Sequence, residues 1–182
     1  SIYLDGINIS NLPIHQRAKL GISYLPQQTS IFRGLTVYEN LLAIAQITKK
    51  GAAKQRDVVE RLMAEFSLTA LRNVYANSLS GGERRRVEIA RCLVNDPKIL
   101  LLDEPFANVD LLSIQDTKNL LINLQARGCG ILLTDHNAAQ LLSVVDRAYI
   151  IANGAIIANG TPRQIVNTTV AREKYFGENF KL

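Results

Sequence analysis

The sequence predicts an α/β fold, a mostly parallel sheet interrupted by a helical insert, and three observations predict it. Strand-like and helix-like segments alternate along the chain, the order that builds parallel sheets with helical crossovers. Ile99-Leu100-Leu101-Leu102 is a short unbroken apolar run of the kind found in a parallel strand buried on both faces. The stretch from Thr29 to Asn95 carries helical patterns and no good strand, so it reads as an insert in the α/β frame.

Taken in order, Ile2 to Ile9 alternates in part and ends at polar Asn8, Ser10 and Asn11, which predicts a strand and a turn. A second strand, Gly21 to Leu25, stops at Pro26. Thr36 and Glu39 form a capping-box pair ahead of Leu41, Leu42, Ile44 and Ala45, so a helix starts there, and Lys49-Lys50-Gly51 breaks it. Val58, Val59, Leu62, Met63 and Phe66 fit one face of a further helix. Ser80 and Glu83 make a second capping box, with Val87, Ala90, Leu93 and Val94 as its apolar stripe. After the strand at Ile99 come a helix from about Leu111 to Arg127, a strand from Gly130 to Thr134 and a short helix beyond Asn137. Tyr149 to Gly160 reads as a hairpin around Asn153-Gly154, and its doubled Ile-Ile-Ala-Asn-Gly is hairpin chemistry, not a solenoid repeat.

Composition bounds the function. At 182 residues, 47% apolar and 20% charged, the chain can bury one ordinary core, which excludes disordered, collagen-like and disulfide-scaffold classes. The 21 Lys and Arg against 16 Asp and Glu leave a net +5, which suits an acidic partner without choosing among nucleotide, nucleic acid and anionic membrane. Cys92 and Cys129 match no metal spacing and read as buried thiols of a reducing compartment. No apolar run approaches the roughly 18 residues of a membrane span, and no charged-then-apolar leader opens the chain. The expectation is a cytosolic protein, or one docked on a membrane protein from the cytosolic side. The chain opens at Ser1 and its one methionine is Met63, so it is not expected to begin at its natural start.

The strongest local signal is Leu79-Ser80-Gly81-Gly82-Glu83-Arg84-Arg85. A capped helix N-terminus presents unpaired N–H groups and partial positive charge. Gly81 and Gly82 let an anion approach that backbone, and Ser80 adds a hydroxyl donor. As a mere capped helix the segment leaves those glycines unexplained, since each costs about 1 kcal/mol against alanine. Asp103 and Glu104 close a buried strand, where two carboxylates are expensive unless compensated. Magnesium bearing phosphate oxygens would compensate Asp103, and Glu104 would be placed to polarise a water for attack on phosphorus; two acids reaching solvent are the plainer alternative. Gln27 after Tyr24-Leu25-Pro26 could serve a metal or water, or decorate a turn. His136 could donate to a terminal phosphate, or be a satisfied structural imidazole; Asp110 could simply cap the helix after it.

As an ordered set these residues say more. Gln27, then Ser80-Gly81-Gly82-Glu83, then Asp103-Glu104, Asp110 and His136 resemble the motif series of ABC-type ATPases: Q-loop, signature, Walker B with catalytic glutamate, D-loop and switch histidine. Tyr24 to Gln27, Ser30-Ile31-Phe32, Leu79 to Arg91, Phe106 to Asp110, Thr134 to Asn137 and Gly177-Glu178-Asn179-Phe180 further resemble the ATPase subunits of bacterial lipopolysaccharide exporters, from the first residues to Leu182. Asn108 departs from the glycine more usual in its position.

The resemblance implies a partial P-loop NTPase (RecA-like) parallel sheet, with residues 1–28 as the first part of the core. Residues 29–96 would be an inserted α-helical subdomain carrying the signature, and 97–182 the second part of the core with a C-terminal extension. It implies ATP and Mg2+ as cofactors and a homodimer in which each ATP lies between the Walker A of one subunit and the signature of the other. Ser80, Gly81, Gly82 and Glu83 would bind ATP across the interface. Asp103 and Gln27 would serve magnesium, Glu104 would be the general base, His136 would hold the γ-phosphate and Asp110 would couple the two sites. Phe32 and Arg33 would sit in the groove that receives the transmembrane subunits, placing the protein peripherally on the cytoplasmic face of a bacterial inner membrane. Arg84, Arg85 and Arg86 are expected to form a solvated and interface face, not a nucleic-acid patch.

One departure is large. No G-x-x-x-x-G-K-S/T occurs in the 182 residues, so they contain no backbone cradle for phosphates and no P-loop lysine. The chain therefore reads as the C-terminal part of an ABC ATPase with its N-terminal P-loop region missing, inactive alone, its sheet exposing apolar surface where the helix after the P-loop would pack. A DNA-repair or chromosome-structure ATPase is disfavoured because the interval from Gln27 to Ser80 has no extended heptads. A non-catalytic interaction module is disfavoured by intact Glu104 and His136. A branched-chain amino-acid importer ATPase fits Asp110 and Asp135-His136-Asn137 less well than the lipopolysaccharide type.

Overall fold

The computed structural model describes residues 1–107 and 110–172, with backbone alone for 111–113 and 170. It divides into two compact units, Ser1–Leu133 and Thr134–Leu182.

The first unit opens with a small antiparallel hairpin, β1 (Tyr3–Leu4) and β2 (Ile7–Asn8), where the sequence predicts one strand through Ile9. Asp5 and Gly6 reverse the chain with φ of 49° and 80°, the two positive values a two-residue turn of primed type requires. Next comes α1 (Ile14–Lys19), which the sequence reading misses. Six residues are too few to show a period, and the helix is fixed from outside its own length. The Arg17 guanidinium donates to the carbonyls of Leu12 (2.8 Å) and Ser10 (2.7 Å).

Strand β3 (Ile22–Leu25) leads to α2 (Val37–Thr48), whose N-terminus carries the predicted Thr36–Glu39 capping box. The N–H groups of Val37 and Tyr38, orphaned by their place in the first turn, donate to the carbonyls of Val74 and Arg72. Helix α3 (Ala52–Glu65) buries Val58, Val59, Leu62 and Met63, as their spacing predicts. Two 3-10 turns, Thr69–Leu71 and Ala76–Ser78, lead to α4 (Gly81–Leu93) with its Ser80–Glu83 box. Then follow β4 (Ile99–Asp103), α5 (Leu111–Ala126) and β5 (Gly130–Thr134).

The three strands form one sheet in the order β3-β4-β5. Strands β3 and β4 run parallel, Ile22 opposite Ile99 and Leu25 opposite Leu102. Leu25, Leu100 and Leu102 are buried, whereas Ile99, Leu101 and Asp103 on the other face are only half-buried. The run at Ile99 is therefore not buried on both sides as predicted. Ile22, Tyr24, Ile99, Leu101, Ile131 and Leu132 line a mostly apolar groove of about 970 Å³. Apolar sheet surface is open there, as the resemblance leads one to expect.

In the second unit, α6 (Ala138–Leu142) is capped by Asn137, whose Oδ1 accepts from the Gln140 N–H (3.2 Å). Strands β6 (Ala148–Ala152) and β7 (Ala155–Gly160) form the predicted hairpin, with φ of 50° at Asn153 and 74° at Gly154. Short helices α7 (Pro162–Val166) and α8 (Thr169–Ala171) follow. Leu142, Ala148, Ile150, Ala158, Ile165 and Val166 make a small core of this unit's own.

Candidate functional site

Because β3 and β4 are parallel and in register, they bring their carboxyl ends to the same level, where open α/β sheets bind ligands. Gln27 stands just beyond β3, Asp103 is the last residue of β4, and Glu104 follows. The Gln27 amide Nε2 donates to Glu104 Oε2 at 2.7 Å. The Tyr24 hydroxyl donates to Asp103 Oδ2 at 3.3 Å. Partial desolvation, then the nearby Asp103 carboxylate, raise the Tyr24 pKa, so the phenol keeps the proton it donates. Glu104 has φ 46°, a left-handed conformation that costs about 1–3 kcal/mol for a residue with a side chain. The turn that aims this carboxylate needs outside support.

The support is Arg85. All its N–H groups are engaged: Nε with the Pro105 carbonyl (3.3 Å), Nη1 with the Pro26 carbonyl and Glu88 Oε2 (both 3.3 Å), and Nη2 with the carbonyls of Asp103 (3.2 Å) and Glu104 (3.1 Å). This overturns the expectation of a solvated face at Arg85, which is 6% exposed with its partner Glu88 3% exposed, whereas Arg84 and Arg86 are partly exposed. The physical reason is spacing, since Arg85 lies one turn before Ile89 on the buried stripe of α4. The same stripe, checked residue by residue, would have found the pair from sequence.

Glu88 and Arg91 extend the network. Glu88 Oε1 accepts from the Ser30 N–H (2.7 Å), and Arg91 Nη1 donates to the Ser30 carbonyl (2.7 Å). The Arg91 guanidinium lies 4.3 Å from the centre of the Phe32 ring. Phe32 is half-exposed, Arg33 is exposed, and the backbone of Phe32 is held from both sides by the buried amide of Asn40 (2.9 and 3.0 Å). None of these long-range contacts has a local sequence signal.

At the start of α4, Ser80 Oγ accepts from the Glu83 N–H (3.3 Å) and Glu83 Oε2 accepts from the Ser80 N–H (2.8 Å). Hydrogen bonding from Ser80, side chain first and backbone second, holds the Glu83 carboxyl below its ordinary range. Ser80 and Gly81 are exposed and Gly82 is buried, so the first turn opens to solvent on the hydroxyl side. An Oγ that accepts from Glu83 can still turn its hydrogen toward an anion.

The carbonyl of Asp110 accepts from the Ile114 N–H (2.9 Å) and so starts α5; Asn108 and Val109 lie outside the described residues, as do residues 177–180. In the second unit, His136 is exposed, with Nδ1 3.8 Å from Asp135 Oδ1, which accepts from the Asn137 N–H (2.8 Å). No cluster of three or more His, Cys, Asp or Glu side chains suited to a metal occurs among the described residues. The oxygens of Asp103 and Gln27 are nonetheless of the hard type magnesium takes, and that ion commonly uses one or two protein ligands with phosphate completing its shell. No described helix is long and apolar enough to cross a membrane.

The family model described as ABC transporter matches residues 1–107. The lipopolysaccharide export system ATP-binding protein LptB of Haemophilus influenzae is 52% identical over 182 residues, which are 100% of this chain and 76% of that protein. The LptB of Escherichia coli K12 is 50% identical over 183 residues, with the same coverage. The chain belongs to the ABC transporter ATP-binding family. Among solved structures, the ADP conformation of an ATP-binding cassette of an ABC transporter superposes with a TM-score of 0.82 at 28% identity, covering 97% of this chain and 76% of that one. The ABC ATPase fold expected from the motif series is therefore present, as a parallel sheet with attached helices. The family is one of nucleotide-binding ATPases.

Proposed function

We propose that this chain is the ATP-binding subunit of a lipopolysaccharide exporter, hydrolysing ATP as a homodimer to drive extraction of lipopolysaccharide from the inner membrane. The observation that carries the reading is the pairing of Gln27 with Glu104 beside Asp103, in a chain half identical along its whole length to LptB proteins of two species. In this reading Glu104 takes a proton from water, the water oxygen attacks the γ-phosphorus, and the bond from that phosphorus to the bridging oxygen breaks to release ADP. Asp103 and the Gln27 amide oxygen would hold Mg2+, which neutralises charge on the phosphates. Ser80, Gly81, Gly82 and Glu83 bind ATP across the dimer interface, His136 holds the γ-phosphate, and Asp110 couples the two sites. Phe32, braced by Arg91 and Asn40, and Arg33 form the contact for transmembrane subunits on the cytoplasmic face. The insert, residues 29–96, is the subdomain that carries signature and groove together.

Steady-state Mg-ATP turnover by the protein as its gene encodes it tests the reading, with Glu104→Gln beside it. The substitution is expected to abolish turnover while ATP still binds; unchanged turnover would refute the role of Glu104. The 182-residue chain, which contains no P-loop motif, is expected to be silent in the same assay. Purification from membranes should bring transmembrane subunits that release lipopolysaccharide on ATP addition, and subunits of an amino-acid importer would overturn the substrate.

A further inference from the structure

We propose that Tyr24 is a positioning residue for the Asp103 carboxylate, holding it through the phenolic hydroxyl in the orientation that receives Mg2+. The proposal rests on the ATPase reading above and adds to it a residue outside the motif series. Tyr24 lies opposite Leu101 in the parallel pair, so Leu101, Asp103 and Tyr24 share one face of the sheet. Asp103 is one pleat further along, about 7 Å, and a tyrosine is long enough to span that diagonal. Its hydroxyl reaches Asp103 Oδ2 at 3.3 Å. The base of the ring is fixed, because β3 is tied to α4 on both sides of it. Ser23 Oγ donates to the Cys92 carbonyl (2.7 Å) and Cys92 Sγ to the Tyr24 carbonyl (3.6 Å).

The ring lies on the open apolar sheet face, where packing suits its hydrocarbon, but packing does not account for the hydroxyl, which is committed to a carboxylate. A donor on one oxygen limits rotation of the carboxylate plane, and outer hydrogen bonds that orient metal ligands typically change metal affinity by 10–100-fold. At 3.3 Å the bond is long, which puts the expected effect at the lower end, about 5–10-fold.

Tyr24→Phe removes the hydroxyl and keeps the ring. In the gene-encoded protein, binding of a fluorescent ATP analogue is titrated with Mg2+, and repeated in EDTA. The substitution should raise the Mg2+ concentration for half-maximal effect by about 5–10-fold. Affinity in EDTA and the melting temperature should not move, and turnover should recover at saturating Mg2+. In an Asp103→Asn background, Tyr24→Phe should change the Mg2+ dependence by less than about twofold, because the partner is gone. If Asp103→Asn shifts the Mg2+ dependence and Tyr24→Phe does not, the positioning role is overturned and the ATPase reading stands. If Asp103→Asn shifts nothing, the metal role of Asp103 fails and this proposal falls with it.

Discussion

Replacing Arg85 with methionine is the most demanding test of how the site is built. The substitution keeps an apolar stem in α4 but leaves Glu88, 3% exposed, with the Ser30 N–H as its remaining partner in the network described above. Breaking a buried ion pair by removing one partner costs about 3–5 kcal/mol, because the other charge stays desolvated. The carbonyls of Pro26, Asp103, Glu104 and Pro105 also lose a donor, but at 3.1–3.3 Å these are long bonds, and the total should stay within that range. Arg85→Lys separates charge from geometry: an ammonium can pair with Glu88 but cannot fork across four carbonyls. Urea denaturation should show Arg85→Met losing about 3–5 kcal/mol and Arg85→Lys about 1–2 kcal/mol. Turnover well below the melting temperature should fall at least about 10-fold in the lysine variant with KM little changed, because the left-handed turn at Glu104 is no longer held. A loss below about 1 kcal/mol in Arg85→Met, or wild-type turnover in Arg85→Lys, would refute the idea that this guanidinium supports the carboxylate.

Ser80→Ala removes the acceptor for the Glu83 N–H and should cost about 1 kcal/mol, seen as a fall of about 2–4 °C in melting temperature; no change would mean the cap is dispensable. Burial pushes the Cys92 thiol from the ordinary 9.0 up to about 11, so its alkylation at pH 8 should run about 100-fold slower than that of an ordinary thiol and catch up above pH 11. The sign for stability follows: between pH 9.0 and about 11 the unfolded chain releases this proton first, so stability falls as pH rises, and Cys92→Ala should flatten that slope. The open sheet face around Tyr24, Leu101 and Leu132 should make the 182-residue chain bind a hydrophobic dye and self-associate in sedimentation; a reversible, cooperative, monomeric melt would count against that.

What the sequence made legible was local. Thr36 with Glu39, Ser80 with Glu83, and Asn153-Gly154 each carry their geometry within four residues, and the structure has each as expected. Asp5-Gly6 is equally local and was readable by the same rule, but the partial alternation from Ile2 to Ile9 masked the reversal. Helix α1 was not readable, since its anchor is Arg17 and not a periodic face. The strand ends were legible as candidates because paired acids after an apolar run are unusual. Their arrangement was not, because the bonds that fix it join residues far apart in the chain: Gln27 to Glu104, Tyr24 to Asp103, Arg85 to Pro26.

The last of these bonds starts from α4, and two further long-range attachments start from the same helix. Arg85, Glu88 and Arg91 recur every three residues along α4, so they lie on neighbouring turns of one side. The first grips the turn that carries Glu104, and the second and third take the N–H and carbonyl of Ser30, the third also stacking on Phe32. The N-terminus of the same helix is the Ser80–Glu83 cap with its exposed hydroxyl and glycines. A displacement of α4 cannot leave these places alone, because buried charge–charge and charge–carbonyl bonds are costly to break singly and cheap to keep by moving together. On the proposed function, a transmembrane subunit seated at Phe32 would act on a side chain attached to the same helix that carries the signature and holds the turn at Glu104. The sequence signal for that element is a three-residue charge spacing on an otherwise apolar stripe.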